Sequence, residues 1–116
     1  MDNFHIDKYE FGSITVSGKH YDEDLIILPG RILAGWWRKE GHVLHVEDIS
    51  AILDAHPQQL IIGQGAYSRM RIAPTVEQVL EEAGIEWIAL PTGKACQIYN
   101  HRAAELEIAA ALHLTC

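Results

Sequence analysis

The spacing of apolar residues changes at Val46, and that change limits the fold more than any other feature of the chain. Before it, the pattern is that of strands. Phe4 to Glu10 alternates, Gly12 follows, and Ser13-Ile14-Thr15-Val16 alternates again, which predicts two strands around a tight turn. Ser17 to Asp24 is polar and contains Gly18, so it reads as a turn or loop. Asp24-Leu25-Ile26-Ile27-Leu28 reads as a strand buried on both faces and closed by Pro29-Gly30. A further strand is expected within Arg31 to Arg38, interrupted by Gly35.

After Val46 helix and strand signals alternate. Val46, Ile49, Ile52 and Leu53 share one helical face, Glu47 and Asp48 suit the first turn, and Pro57 ends the segment. Gln59 to Gly63 is a short buried strand. Thr75 and Gln78 have the spacing of a capping box, Val76, Val79, Leu80 and Ala83 make an apolar stripe, and Gly84 is the stop. Ile85 to Leu90 is a strand. Pro91-Thr92 opens a third helix with Ala95, Ile98, Tyr99 and Ala103 facing inward, and Glu107 to Leu112 is the last strand. Hairpin strands followed by α-β-α-β-α-β predict an α/β fold. The sheet should be mixed, antiparallel near the N-terminus and parallel beyond it, with helices packed on it.

At 116 residues and 48% hydrophobic, the chain is expected to form one domain, residues 1–116, with its own core. Its net charge of −7 argues against nucleic acid and anionic membranes as partners. No apolar run approaches the about 20 residues of a membrane span. The start Met1-Asp2-Asn3-Phe4-His5 has no basic, apolar leader, so a cytoplasmic protein is expected. Cys96 and Cys116 then remain free thiols, Cys96 on the inner side of the third helix.

The candidate chemistry is sparse. Gly63-Gln64-Gly65 follows a strand and could let an anion approach the backbone, with Arg69 and Arg71 nearby. Position 68 of the dinucleotide pattern is serine, however, and no Walker lysine follows. The same glycines could equally serve only to let the chain leave the sheet. His42-x-x-His45 and His113-x-x-Cys116 lack a third metal ligand dictated by spacing, so no metal is expected, and no cofactor. Asn100, in the third helix, could satisfy a neighbouring backbone group or face a cleft. Trp36-Trp37 would place its rings on opposite faces of a strand, one in the core and the other exposed, over a pocket or on a partner surface; equally, a helix or loop could cover both. No catalytic triad can be placed, and the expectation leans away from an enzyme.

Several segments together resemble a known family. They are Phe11-Gly12-Ser13-Ile14 with Trp37-Arg38, Leu60 to Gly65, Gly84-Ile85, Ala95 with Tyr99 and Asn100, and His113-Leu114-Thr115-Cys116. The chain is similar to the small α/β domains that include the human adipogenesis-associated protein named after a methanogen homologue. The mitochondrial complex I assembly factor three is a more distant relative. The resemblance implies a mixed sheet with a β-hairpin and helices against it, without established catalytic residues or a cofactor. It makes Trp37, Arg38, Gly63, Gln64, Gly65, Arg69, Tyr99 and Asn100 candidate pocket residues, with Trp36 and Trp37 candidate partner contacts. The ending at His113 to Cys116 is similar to the adipogenesis-associated branch. The expectation is a non-catalytic module that binds a protein in an assembly or regulatory role. The alternatives are a small-molecule site at Gly63–Gly65 and a homo-oligomer.

Overall fold

The computed structural model describes residues 4–116; the Met1-Asp2-Asn3 start on which the leader argument rests lies outside them. The chain begins with three antiparallel strands, β1 (Ile6–Glu10), β2 (Ser13–Val16) and β3 (Lys19–Tyr21), which form a small sheet of their own. β3 lies where the sequence reads as turn or loop. Ser17 and Gly18 both have positive φ, 47° and 83°, the combination that a two-residue hairpin turn needs. That turn brings Lys19 opposite Val16 and Tyr21 opposite Ile14. Only Tyr21 of the three packs on the core, so β3 carries no run of apolar residues to announce it.

β4 (Leu25–Leu28) and β5 (Arg31–Ala34) pair as a hairpin. β5 ends before Gly35, so Trp36-Trp37 sits on a loop rather than on a strand. Beyond it come β6 (Val43–Leu44), a 3-10 turn (Val46–Ile49) and α1 (Ser50–Ala55). Next are β7 (Gln59–Gln64), β8 (Arg71–Ile72) and α2 (Pro74–Glu82). β9 (Glu86–Leu90), α3 (Thr92–Ala103) and β10 (Ile108–His113) complete the chain.

The start of α2 differs from the capping-box expectation. The N-cap is Ala73, in extended conformation and with no side-chain cap, and Pro74 takes the first helical position. Proline has its φ already set for a helix and no N–H to satisfy, so Thr75 and Gln78 are not needed as a cap. The end of α2 is as expected: the Gly84 amide donates to Glu81 and the Ile85 amide to Leu80, the paired bonds of a Schellman motif.

The central sheet has the order β5-β4-β10-β7-β9. β7 is parallel to both β10 and β9, whereas β10 is antiparallel to β4. This is the mixed α/β architecture expected. β10 is central, and all six of its residues are buried. Its alternating side chains divide two cores. Ile108, Ala110 and Leu112 join Ile61, Leu25 and Ile27 under α3 and the small sheet. Ala109 and Ala111 join Leu60, Ile62, Leu44, Ile52 and Leu80 on the side of α1 and α2. Three successive alanines let elements on both faces approach the strand closely, which accounts for an apolar run this low in bulk at the centre of the molecule.

Candidate functional site

Beyond its last strand the chain runs along one end of the sheet, and residues 113–116 fasten every loop there. The Thr92 hydroxyl donates to the His113 carbonyl at 2.6 Å and itself accepts from the Gly65 amide at 2.8 Å. The Leu114 carbonyl accepts from the Gly12 amide and from the Tyr9 hydroxyl, both at 2.9 Å. The Ala66 amide donates to the Thr115 carbonyl at 2.6 Å, and the Arg69 amide to the Cys116 main-chain oxygen at 3.1 Å. Gly65 makes this possible. Its φ is +102°, and a Cβ there would lie 2.5 Å from the Cys116 backbone. At Gly63 a Cβ would meet the Thr92 hydroxyl at 2.9 Å.

A buried ionic cluster holds the other side of this end. Asp24, just before β4, accepts from the Leu114 amide at 2.7 Å through Oδ1, and its Oδ2 lies 2.8 Å from His113 Nδ1. His113 Nδ1 thus lies between the Asp24 carboxylate, which can only accept, and Arg38 Nη2 at 3.0 Å, which can only donate. Arg38 Nη1 lies 2.9 Å from the same Oδ2, and the side chains of Arg38 and His113 are 5% and 7% exposed. The guanidinium also donates to the Gly41 carbonyl and stacks 4.7 Å over the Trp36 ring. Burial alone would raise the Asp24 pKa. The His113 bond, the Leu114 amide and the neighbouring positive groups outweigh it and hold the carboxyl below its usual 3.8. His113 Nε2 is buried and has no hydrogen-bond partner among the described residues.

The same cluster fixes the loop that carries Trp37. The Trp36 indole donates to the Asp48 carbonyl at 2.9 Å, the Trp36 amide donates to the Asp24 carbonyl, and the Asp48 carboxylate takes the amides of Lys39 and His45. Trp36 is therefore half-buried, while Trp37, between two anchored neighbours, is 79% exposed. Phe11 and Tyr67 are the other exposed large apolar side chains among the described residues, and their rings lie 6.2 Å apart. Each of the three is on a loop tied to residues 113–116: Phe11 beside Gly12, Tyr67 between Ala66 and Arg69, and Trp37 beside Arg38. Together they form an aromatic rim around one end of the sheet.

The remaining sequence candidates fall elsewhere. The amides of Gly65, Ala66, Ser68, Arg69 and Met70 all donate within the protein, so they are not available as an anion nest. The Gln64 side chain donates to the Met70 carbonyl, and Arg69 is exposed. Tyr99 lies inside the first core, where burial pushes its hydroxyl up to about 12. Asn100 accepts from the Ile6 amide and donates to the Ile6 carbonyl, both at 2.8 Å. It also lines a cleft of about 660 Å³ between β1 and the start of α3, with Tyr9, Ala66, Lys94, Cys96 and Gln97. The walls of that cleft include Ala66 but not Arg38, Gly65 or Arg69. Most of its polar groups are already committed: Tyr9 to Leu114, Lys8 to Glu10, and Asn100 to Ile6. Burial pushes the Cys96 thiol up to about 12, which keeps it protonated and unreactive. Tyr67 had no signal in the sequence, and Asp24, Thr92 and Phe11 were legible only as parts of a strand, a helix start and a family segment, because each matters here through residues far along the chain.

The fold and this end of it define a small α/β domain with a tied-down rim of exposed aromatic residues. Residues 6–113 match the family described as protein of unknown function, DUF498/DUF598, and the chain belongs to that family. Its structure is similar to the conserved hypothetical protein PH1505 from Pyrococcus horikoshii OT3, at 27% identity and a TM-score of 0.82, over 96% of this chain and 98% of that one. It is also similar to a protein from Bartonella henselae described as an outer membrane protein, at 26% identity and a TM-score of 0.85, over 98% and 97% of the two chains. A third, MT938, is 26% identical with a TM-score of 0.81, over 97% and 99%. Among the described residues of this chain, no helix is long and apolar enough to cross a membrane.

Proposed function

We propose that this domain is a non-catalytic protein-binding module in an assembly or regulatory role, with Trp37 as its anchor. The observation that carries this reading is the 79% exposure of a tryptophan on a loop whose two flanking residues are locked in place. A large ring that is exposed yet held in position loses little conformational freedom on binding, and tryptophan is the residue most enriched at interface hot spots. Phe11 and Tyr67 extend the rim. The net charge of −7 favours a partner with a neutral or basic surface. The likeness of residues 113–116 to the adipogenesis-associated branch, and the assembly role of a more distant branch, support the same reading.

The small-molecule alternative has less behind it. The loop amides that a phosphate would use are occupied, and the walls of the cleft at Asn100 include neither Arg38 nor Arg69.

The test is a photo-reactive amino acid placed at position 37 in the native cell, with position 105 on the far side of α3 as control. A discrete protein adduct from position 37 alone supports the proposal. Equal or absent adducts at both positions would overturn it.

A further inference from the structure

The segment between β7 and β8 carries the two arginines that follow the glycine turn. Exposure alternates along Arg69-Met70-Arg71-Ile72: both arginines are exposed, Met70 is fully buried and Ile72 is half-buried. The two guanidiniums therefore leave the same side of the chain, about 7 Å apart for an extended segment. Neither forms an ion pair among the described residues. The sequence holds no acid from Ala55 to Val76. Glu40, three residues before the Val43 that pairs with Arg71, is turned to His45 at 3.3 Å. On a chain of net charge −7, this is a local basic surface.

We infer that Arg69 and Arg71 form a docking surface for a short acidic segment of a protein partner, in which two carboxylates spaced as in Glu-x-Glu meet the two guanidiniums. The surface adds a second contact to the binding role proposed above and rests on that role, though not on Trp37 as its anchor. Charge selects the occupant. Two uncommitted guanidiniums on one side of an extended segment match two carboxylates two residues apart on an extended partner, and each carboxylate can take a guanidinium through both oxygens.

The surroundings favour a peptide over other anions. A phosphate held by a loop uses the loop amides, and those of Ser68, Arg69, Met70 and Arg71 all donate within the protein. Nucleic acid is disfavoured by the net charge of −7. A recess of about 240 Å³ opens beside Arg71, lined also by Val43, Ile72, Ala73 and Pro74, and suits an apolar side chain next to an acidic one. Exposed Tyr67 stands two residues before Arg69 and offers a further apolar contact. Salt screens exposed charges beyond about 8 Å, so the arginines act on contact and the acidity of the chain as a whole does not oppose them.

Amide NMR of the full chain, titrated with the capped peptide acetyl-Leu-Glu-Ser-Glu-Leu-amide, tests this. Inorganic phosphate and the same peptide with both Glu replaced by Lys are the controls. The expected result is saturable shifts centred on residues 67–74 and 42–44, with the acidic peptide alone. Arg69→Glu and Arg71→Glu, both at exposed positions, should keep the fold and each weaken binding about fivefold or more. Trp37→Ala should leave this titration unchanged, which separates failure here from failure of the Trp37 anchor. No shift at these residues, equal shifts with phosphate or the Lys peptide, binding indifferent to both charge reversals, or binding lost in Trp37→Ala would each overturn the surface.

Discussion

Asn100 holds Ile6 as a neighbouring strand would, its Oδ1 taking the Ile6 amide and its Nδ2 giving to the Ile6 carbonyl, both at 2.8 Å. One side chain thus closes two main-chain groups at the start of β1 and ties the small sheet to α3. Asn100→Ala leaves both groups unpaired in a partly buried place and is expected to cost about 2 kcal/mol in urea unfolding. Asn100→Asp keeps the acceptor but turns a carboxylate oxygen toward the Ile6 carbonyl, and should not recover the loss.

Arg38 and Asp24 form a buried pair, and removing one leaves the other charged and unmatched. Arg38→Met and Asp24→Asn should each destabilise by about 3–5 kcal/mol. The double variant should lose much less than the sum, because no orphan charge remains. Equilibrium unfolding of the three variants, read as a double-mutant cycle, gives the coupling directly. Additive losses would mean that the pair does not hold the Trp37 loop.

The pH dependence follows from Asp24. Its folded pKa lies below 3.8, the value of a free carboxyl, so the unfolded chain takes up a proton there before the folded one does. The stabilisation is therefore complete above the unfolded value and is lost as the pH falls through it toward the folded value. The unfolding midpoint should drop steeply below about pH 4, and the drop should be shallower in Asp24→Asn. Thermal melts at closely spaced pH values check both.

The alternation of helix and strand after Val46, the Schellman stop at Gly84 and the inward face of Ala95, Tyr99 and Ala103 were legible because each is written in residues three or four apart. The hub was not. Asp24 and His113 meet at 89 residues' separation, and nothing near either one announces the other. β3 was hidden because only Tyr21 needs to be apolar in a strand whose other face is solvent. Trp36-Trp37 was visible as unusual, and the division of one ring inward and one outward did occur. It arises from the Asp48 and Arg38 contacts on a loop, however, rather than from strand alternation.

Gly65 and Gly41 make a matched pair of substitutions. A Cβ at Gly65 meets the Cys116 backbone at 2.5 Å and φ is positive, whereas at Gly41 nothing lies within 4 Å. Gly65→Ala should lower stability by about 2 kcal/mol and loosen the rim. Gly41→Ala keeps the carbonyl that Arg38 uses and should leave stability unchanged within about 0.5 kcal/mol. Chemical denaturation of both variants distinguishes a glycine that the hub requires from one that merely occupies a turn.

The central claim is that Trp37 is an anchor presented by a rigid loop. Its most direct test is the affinity of the protein cross-linked at position 37, titrated calorimetrically against wild type and Trp37→Ala. The ring touches little of its own chain, so the variant should unfold at the wild-type denaturant concentration. A hot-spot residue contributes about 2 kcal/mol or more, so binding should weaken about 30-fold. Affinity within threefold of wild type, with the fold intact, would contradict the account.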